Sequence, residues 1–96
     1  MKVVITQTAL KRFHTIVDFL VEEWGESVAR QFEKRTASFL ELLEDFPEIG
    51  TVVNKTKKIR GFQLTKQTRI YYRIKGEQIL VLTFFDVRQD PDRIGF

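Results

Sequence analysis

Arg69, Tyr71, Arg73 and Lys75 recur at every second position of the chain. In a β-strand that period brings all four to one face and sends Ile70, Tyr72 and Ile74 to the other. Three cations around a phenol suit phosphate, because the planar fork of arginine grips two phosphate oxygens at once. The next apolar run, Ile79 to Val87, leads into Asp86-Val87-Arg88, which carries a further guanidinium toward the edge of the same surface. A strand with one solvated, charged face produces the same alternation without a ligand. The choice between these readings rests on the elements that carry the residues.

The surroundings favour an anion. Between Lys55 and Lys75 stand Lys55, Lys57, Lys58, Arg60, Lys66, Arg69, Arg73 and Lys75, with no Asp or Glu among them. Asp18, Glu22, Glu23, Glu26, Glu33, Glu41, Glu44, Asp45 and Glu48 all precede that stretch, so a net charge of only +3 conceals a strongly uneven distribution. Such a field draws nucleic acid or an acidic protein partner.

Composition excludes several other chemistries. The chain has 96 residues, 43% of them apolar, which suits one globular domain spanning residues 1–96. It contains no cysteine, so disulfides, thiolate nucleophiles and zinc–thiolate clusters are out, and a reducing compartment fits. No apolar stretch approaches the ~20 residues that cross a bilayer. Val3-Val4-Ile5 is too short for a signal-peptide core, so a cytoplasmic location is expected, with no membrane contact. Scattered glycines form no phosphate loop. Asp86, Asp90 and Asp92 read as a solvated acidic tail because no His or Cys accompanies them, and no metal or cofactor is expected.

The positioning elements follow from period and punctuation. Lys2 to Ile5 reads as a short strand, and Thr6 or Thr8 as the cap of a helix over Ala9 to Trp24. Leu10, Phe13, Val17, Leu20 and Trp24 draw an apolar stripe along that helix, broadened by Ile16, Phe19 and Val21. Gly25 ends it. A second helix over Glu26 to Phe46, with Ser27 as its cap, carries Val28, Phe32, Phe39, Leu43 and Phe46. The tight link predicts an antiparallel helical hairpin.

Pro47 and Gly50 break the helical period, and Thr51 to Thr56 is a polar connection with room for a short extended piece. Strands are predicted over Lys58 to Thr65, Thr68 to Lys75 and Gln78 to Val87, separated by turn-length gaps. The result is an α+β fold of two layers, β-α-α-β-β-β, with the hairpin packed on one face of an antiparallel sheet. The other face, bearing Arg69, Tyr71 and Arg73, is left open.

In this order the segments Phe46-Pro47-Glu48-Ile49-Gly50, Ile59-Arg60-Gly61, Arg69-Ile70-Tyr71-Tyr72-Arg73-Ile74 and Phe85-Asp86-Val87-Arg88-Gln89-Asp90-Pro91 resemble the RelE/ParE toxin superfamily of bacterial type II toxin–antitoxin systems over essentially the whole chain. The resemblance implies a toxin restrained by a cognate antitoxin. RelE-like members cut messenger RNA on the ribosome, whereas ParE-like members poison DNA gyrase. Arg69 matches the third-strand arginine of the RelE-like nucleases and Arg88 the arginine after their last strand, so the resemblance assigns both to stabilising a charged phosphate during catalysis. Lys55, Lys57 and Lys58 fall where the family places basic residues that hold RNA or assist proton transfer, with Arg60, Tyr71 and Arg73 as further nucleic-acid contacts.

One departure matters. RelE-like nucleases present a Tyr or His near the C-terminus as acid or base, whereas here that stretch reads Asp92-Arg93-Ile94-Gly95-Phe96. An arginine or lysine would then have to act as base while holding its proton at neutral pH. The only histidine, His14, lies in the first predicted helix, remote from the basic segment in sequence. The paired Arg69 and Arg88 tilt the sequence reading toward ribosome-dependent mRNA cleavage. Gyrase inhibition without nuclease activity is the alternative, and an inactive antitoxin-binding module a further one.

Overall fold

A computed structural model of the chain describes residues 1–88. Strand β1 (Lys2–Ile5) is followed by helices α1 (Gln7–Trp24) and α2 (Glu26–Asp45), then by β2 (Thr51–Asn54), β3 (Ile59–Gln63), β4 (Thr68–Lys75) and β5 (Gln78–Asp86). The α+β sandwich is as expected, with one more strand. Thr51–Asn54 pairs at the sheet edge with Val52 and Val53 both exposed, so it lacks the buried alternation that marks a strand in sequence.

The strand order is β1-β5-β4-β3-β2. β2 to β5 form an antiparallel meander, whereas β1 runs parallel to β5, so the sheet is mixed rather than purely antiparallel. Parallel pairing requires a long crossover, which the helical hairpin and the meander together supply.

Thr6 sets the start of α1. Its extended backbone and its Oγ1, which accepts the Ala9 N–H at 3.2 Å, make it the cap. The same hydroxyl donates to the Val81 carbonyl at 2.8 Å and so fastens the helix start to β5. Gly25, at φ 92°, then joins the helices. Its N–H reaches the Val21 carbonyl and its own carbonyl accepts from Ala29, so this one residue closes α1 and opens α2. Ser27 lies inside α2 and is not its cap.

The main core lies between the hairpin and one sheet face. Ala9, Ile16 and Leu20 of α1 and Ala29, Phe32, Phe39 and Leu43 of α2 pack against Ile70, Tyr72, Ile79, Val81 and Phe84. Phe13 stacks on Phe32 with ring centres 5.5 Å apart, and Phe39 on Phe62 at 4.3 Å. The buried face of α1 centres on Ile16 and Leu20, whereas Leu10 and Trp24 are 46% and 60% exposed. The stripe drawn through those two residues marks the flank of the helix. Phe46 caps α2 at its C-terminus and is largely exposed.

Candidate functional site

The strand β4 delivers the expected alternation. Ile70, Tyr72 and Ile74 join the core beneath the hairpin, and the side chains of Arg69, Tyr71, Arg73 and Lys75 occupy the opposite face. That face is not simply wet, because Tyr71, Ile59 and Phe85 are buried there and Leu82 packs on them. A register shift opposite Tyr71 and Tyr72 makes room: Tyr71 pairs with Thr83 and Tyr72 with Val81, leaving Leu82 as the extra residue of a β-bulge.

Arg69 lies across this small apolar island. Its guanidinium sits 5.7 Å from the centre of the Tyr71 ring, and its Nη1 donates to Gln63 Oε1 at 2.9 Å. The Gln63 amide is oriented in turn by its Nε2, which donates to the Thr65 carbonyl at 2.6 Å. Gly61 leaves the space that Arg69 fills, since a Cβ there would stand 2.8 Å from Arg69 Nη2 and 3.1 Å from Tyr71 Cε1. A cation over an aromatic face gains about 0.5–1 kcal/mol at an exposed site. Gln63 was not singled out from sequence, although an antiparallel meander with a short turn brings it opposite Arg69.

Arg73 lies further along the same strand, about 13 Å from Arg69 at 3.3 Å per residue. Its Nε is buried without a hydrogen-bond partner among the described residues. Ile59 pairs with Arg73, so the β2–β3 turn carrying Lys55, Lys57 and Lys58 projects from this end of the sheet. Asn54 Oδ1 accepts the Lys57 N–H at 2.9 Å and shapes that turn, and Lys58 takes a left-handed conformation, φ 58°. All three lysines are exposed. The open face thus bears two arginines at either end of a buried aromatic patch, with a lysine turn beside the second.

Arg88 is elsewhere. Thr68 precedes Arg69 in β4 and faces the hairpin side, where its hydroxyl donates to Asp86 Oδ2. Arg88 grips the same carboxylate, Nη2 to Oδ2 at 2.7 Å and Nε to Oδ1 at 3.1 Å, while its backbone N–H reaches Oδ1 at 2.9 Å. Its side chain lines a cleft with Leu20, Phe32 and Arg35 from the helices. Arg69 and Arg88 therefore lie on opposite faces of the sheet. Burial alone would raise the Asp86 carboxyl, but the hydrogen bonds from Arg88 and Thr68, with the Arg88 charge, outweigh it and hold the group below the ordinary carboxylate range. Asp86 is a buried anchor and no part of a solvated tail. Asp90, Asp92 and the stretch 92–96 lie outside the described residues.

Two other sequence candidates have structural duties. Arg60 alternates with Ile59 and Gly61 and reaches over the hairpin side, where its Nη1 donates to the carbonyls of Glu48 at 3.1 Å and Gly50 at 2.8 Å. Tyr71, expected as a nucleic-acid contact, is only 4% exposed beneath Arg69. His14 is exposed on α1, edge-on to Phe13, far from the open face across the sheet. No cluster of three metal-ligating side chains occurs among the described residues. Nor is any helix among them long and apolar enough to cross a membrane.

The chain as a whole is similar to known toxins. The family model described as ParE toxin of type II toxin-antitoxin system, parDE, matches residues 3–91, and the chain belongs to that family. Among solved structures, one described as the chromosomal ParDE TA system from P. aeruginosa aligns at a TM-score of 0.75 with 18% identity, covering 90% of this chain and 95% of that one. A YoeB/ParE toxin from Agrobacterium tumefaciens aligns at a TM-score of 0.62 with 14% identity, covering 90% and 98%. At these identities the two structures establish the shared fold. A comparison with curated protein sequences gives no match. Membership makes the chain a toxin component and implies a cognate antitoxin as its partner.

Proposed function

We propose that this toxin acts by binding its target through the Arg69–Arg73 face, as an inhibitor of DNA gyrase, and that it does not cut nucleic acid. The observation that carries this reading is the separation of Arg69 and Arg88 by the thickness of the sheet. Strand scission by a ribose 2′-hydroxyl needs a base, an acid and cations converging on one phosphate. Arg88 pairs with Asp86 on the hairpin side, away from Arg69, and the phenol on the open face is buried under Arg69. A binding surface needs no such convergence.

Ribosome-dependent mRNA cleavage is the second reading, and the row Arg69, Arg73 and Lys75 beside the lysine turn favours it, because that row offers a backbone-tracking cationic surface. Primer extension on programmed ribosomes separates the two. With a preparation that arrests growth, the message is expected to stay intact. Cuts in the decoding site that disappear with Arg69→Ala would reinstate the nuclease.

A groove beside the hairpin supports the antitoxin reading. Ile5, Leu10, Phe13, Ala37 and Leu40 line an apolar groove of about 260 Å³ beside the hairpin, suited to the apolar face of an antitoxin helix. Acidic antitoxin residues would neutralise the lysine turn. Leu10→Asp should abolish capture of the product of the adjacent gene. Undiminished capture by that variant would count against the groove.

A further inference from the structure

The hairpin side of the sheet holds a cationic cleft that the proposed target surface does not use. It encloses about 550 Å³ and gathers Lys34 and Arg35 from α2, Lys66 from the β3–β4 turn, and Arg88. Leu20, Val28 and Phe32 form its apolar wall, and no carboxylate lines it among the described residues. Asp86 neutralises Arg88, whereas Lys34, Arg35 and Lys66 form no ion pair with a described residue. About three positive charges are thus left uncompensated by the described residues around one concavity.

Two of the cations are already held in place. Asp86 takes the Nε and Nη2 edge of Arg88 and leaves the Nη1 side outside the pair. The carboxylate that does so is itself 3% exposed and fixed by Thr68, which is fully buried. Arg35 is braced by its Nη1, which donates to the Leu64 carbonyl at 3.3 Å. Fixing a guanidinium before the ligand arrives lowers the ordering cost of binding, and arginine is the side chain fitted to two-point phosphate contact.

We propose that this cleft binds the phosphates of a nucleotide, with Arg35, Arg88, Lys34 and Lys66 on the phosphates and the base or sugar against Val28, the accessible part of the apolar wall. A single carboxylate would leave most of the charge unmatched, whereas a diphosphate answers it. The volume is that of a small-molecule site. The nucleotide is either free or the end of a nucleic-acid strand, and both sources share this chemistry. The site is separate from the open face and stands whether the toxin inhibits gyrase or cuts RNA.

Titration calorimetry of the full chain at low salt tests it, with ADP, pyrophosphate and a short single-stranded DNA as probes and circular dichroism to verify folding of each variant. ADP should bind, at least tenfold more tightly than pyrophosphate, and weaken as salt is raised. Arg35→Glu and Lys66→Glu, both at exposed positions, should each weaken ADP at least tenfold, and Arg69→Ala should leave it unchanged. DNA binding tighter than ADP, lost in the same two variants, would identify a strand as the source. ADP binding tighter than DNA identifies the free nucleotide. Absence of ADP binding, equal affinity for pyrophosphate, or ADP binding indifferent to Arg35→Glu and Lys66→Glu would overturn the proposal.

Discussion

Asp86 and Arg88 are joined side-on, Nη2 to Oδ2 at 2.7 Å and Nε to Oδ1 at 3.1 Å, and this pair binds the end of β5 to Thr68 of β4 on the hairpin side of the sheet. The carboxylate is buried and the guanidinium largely so. Removing one partner of such a pair strands the other, at about 3–5 kcal/mol. Asp86→Ala should lose about 3 kcal/mol in urea unfolding at neutral pH. A loss within 0.5 kcal/mol of zero would show that the pair does not brace the sheet end.

The same pair sets an acid limit. The folded Asp86 carboxyl titrates below its unfolded value, so the unfolded chain takes up the proton first. Its stabilising contribution is present above the unfolded value of about 4 and is lost as pH falls through the lower folded value. Asp86→Asn should flatten that part of the acid limb, and unfolding free energies measured between neutral pH and pH ~3 would reveal it. An unchanged acid slope would remove Asp86 from the account.

Tyr72 stabilises the exit from α2. Its hydroxyl donates to the Pro47 carbonyl and accepts the Gly50 N–H, each at 2.8 Å. Burial raises the phenol above its ordinary range despite the Gly50 bond and the Arg60 charge. The folded state therefore resists ionisation, and stability falls as pH rises past the unfolded value of about 10. Tyr72→Phe should cost about 1–3 kcal/mol at neutral pH, because the buried Gly50 N–H loses its acceptor, and should flatten the alkaline limb. Equilibrium unfolding across pH 7 to ~11 reads both effects.

Gly61 and Gly50 are both required by space rather than by backbone conformation. A Cβ on Gly61 meets the far end of the Arg69 side chain at 2.8 Å and the Tyr71 ring at 3.1 Å, whereas one on Gly50 meets the Tyr72 hydroxyl at 2.8 Å and the Gly61 carbonyl at 3.0 Å. Gly61→Ala should cost about 1 kcal/mol and displace Arg69 from Tyr71, and Gly50→Ala about 2–3 kcal/mol. Thermal melts give the order. The reverse ranking would contradict the packing described.

Much of this architecture could be read from the sequence. The helical hairpin, the meander and the two faces of β4 follow from periods of 3.6 and 2 interrupted by Gly25, Pro47 and Gly50. What escaped was non-local. The parallel pairing of β1 with β5 depends on residues more than seventy positions apart, and the exposed strand β2 carries no alternation of burial. Alternation placed Arg69 on the open face, but the expectation that Arg88 reaches the edge of that same face fails, because Arg88 follows the end of β5 and lies on the hairpin side. Only the structure shows that Asp86 turns Arg88 toward α2, and that Arg60, in the midst of a basic run, serves the backbone carbonyls of Glu48 and Gly50.

The central claim is that the open face acts on gyrase without cutting nucleic acid. The most direct measurement is a plasmid DNA cleavage assay with purified gyrase, ATP and the purified chain, run beside Arg73→Ala. Wild-type protein is expected to accumulate gyrase-dependent linear DNA and to inhibit supercoiling, and the variant to do so at least tenfold less. Unimpaired supercoiling and no linear DNA, with protein that still arrests growth, would contradict it.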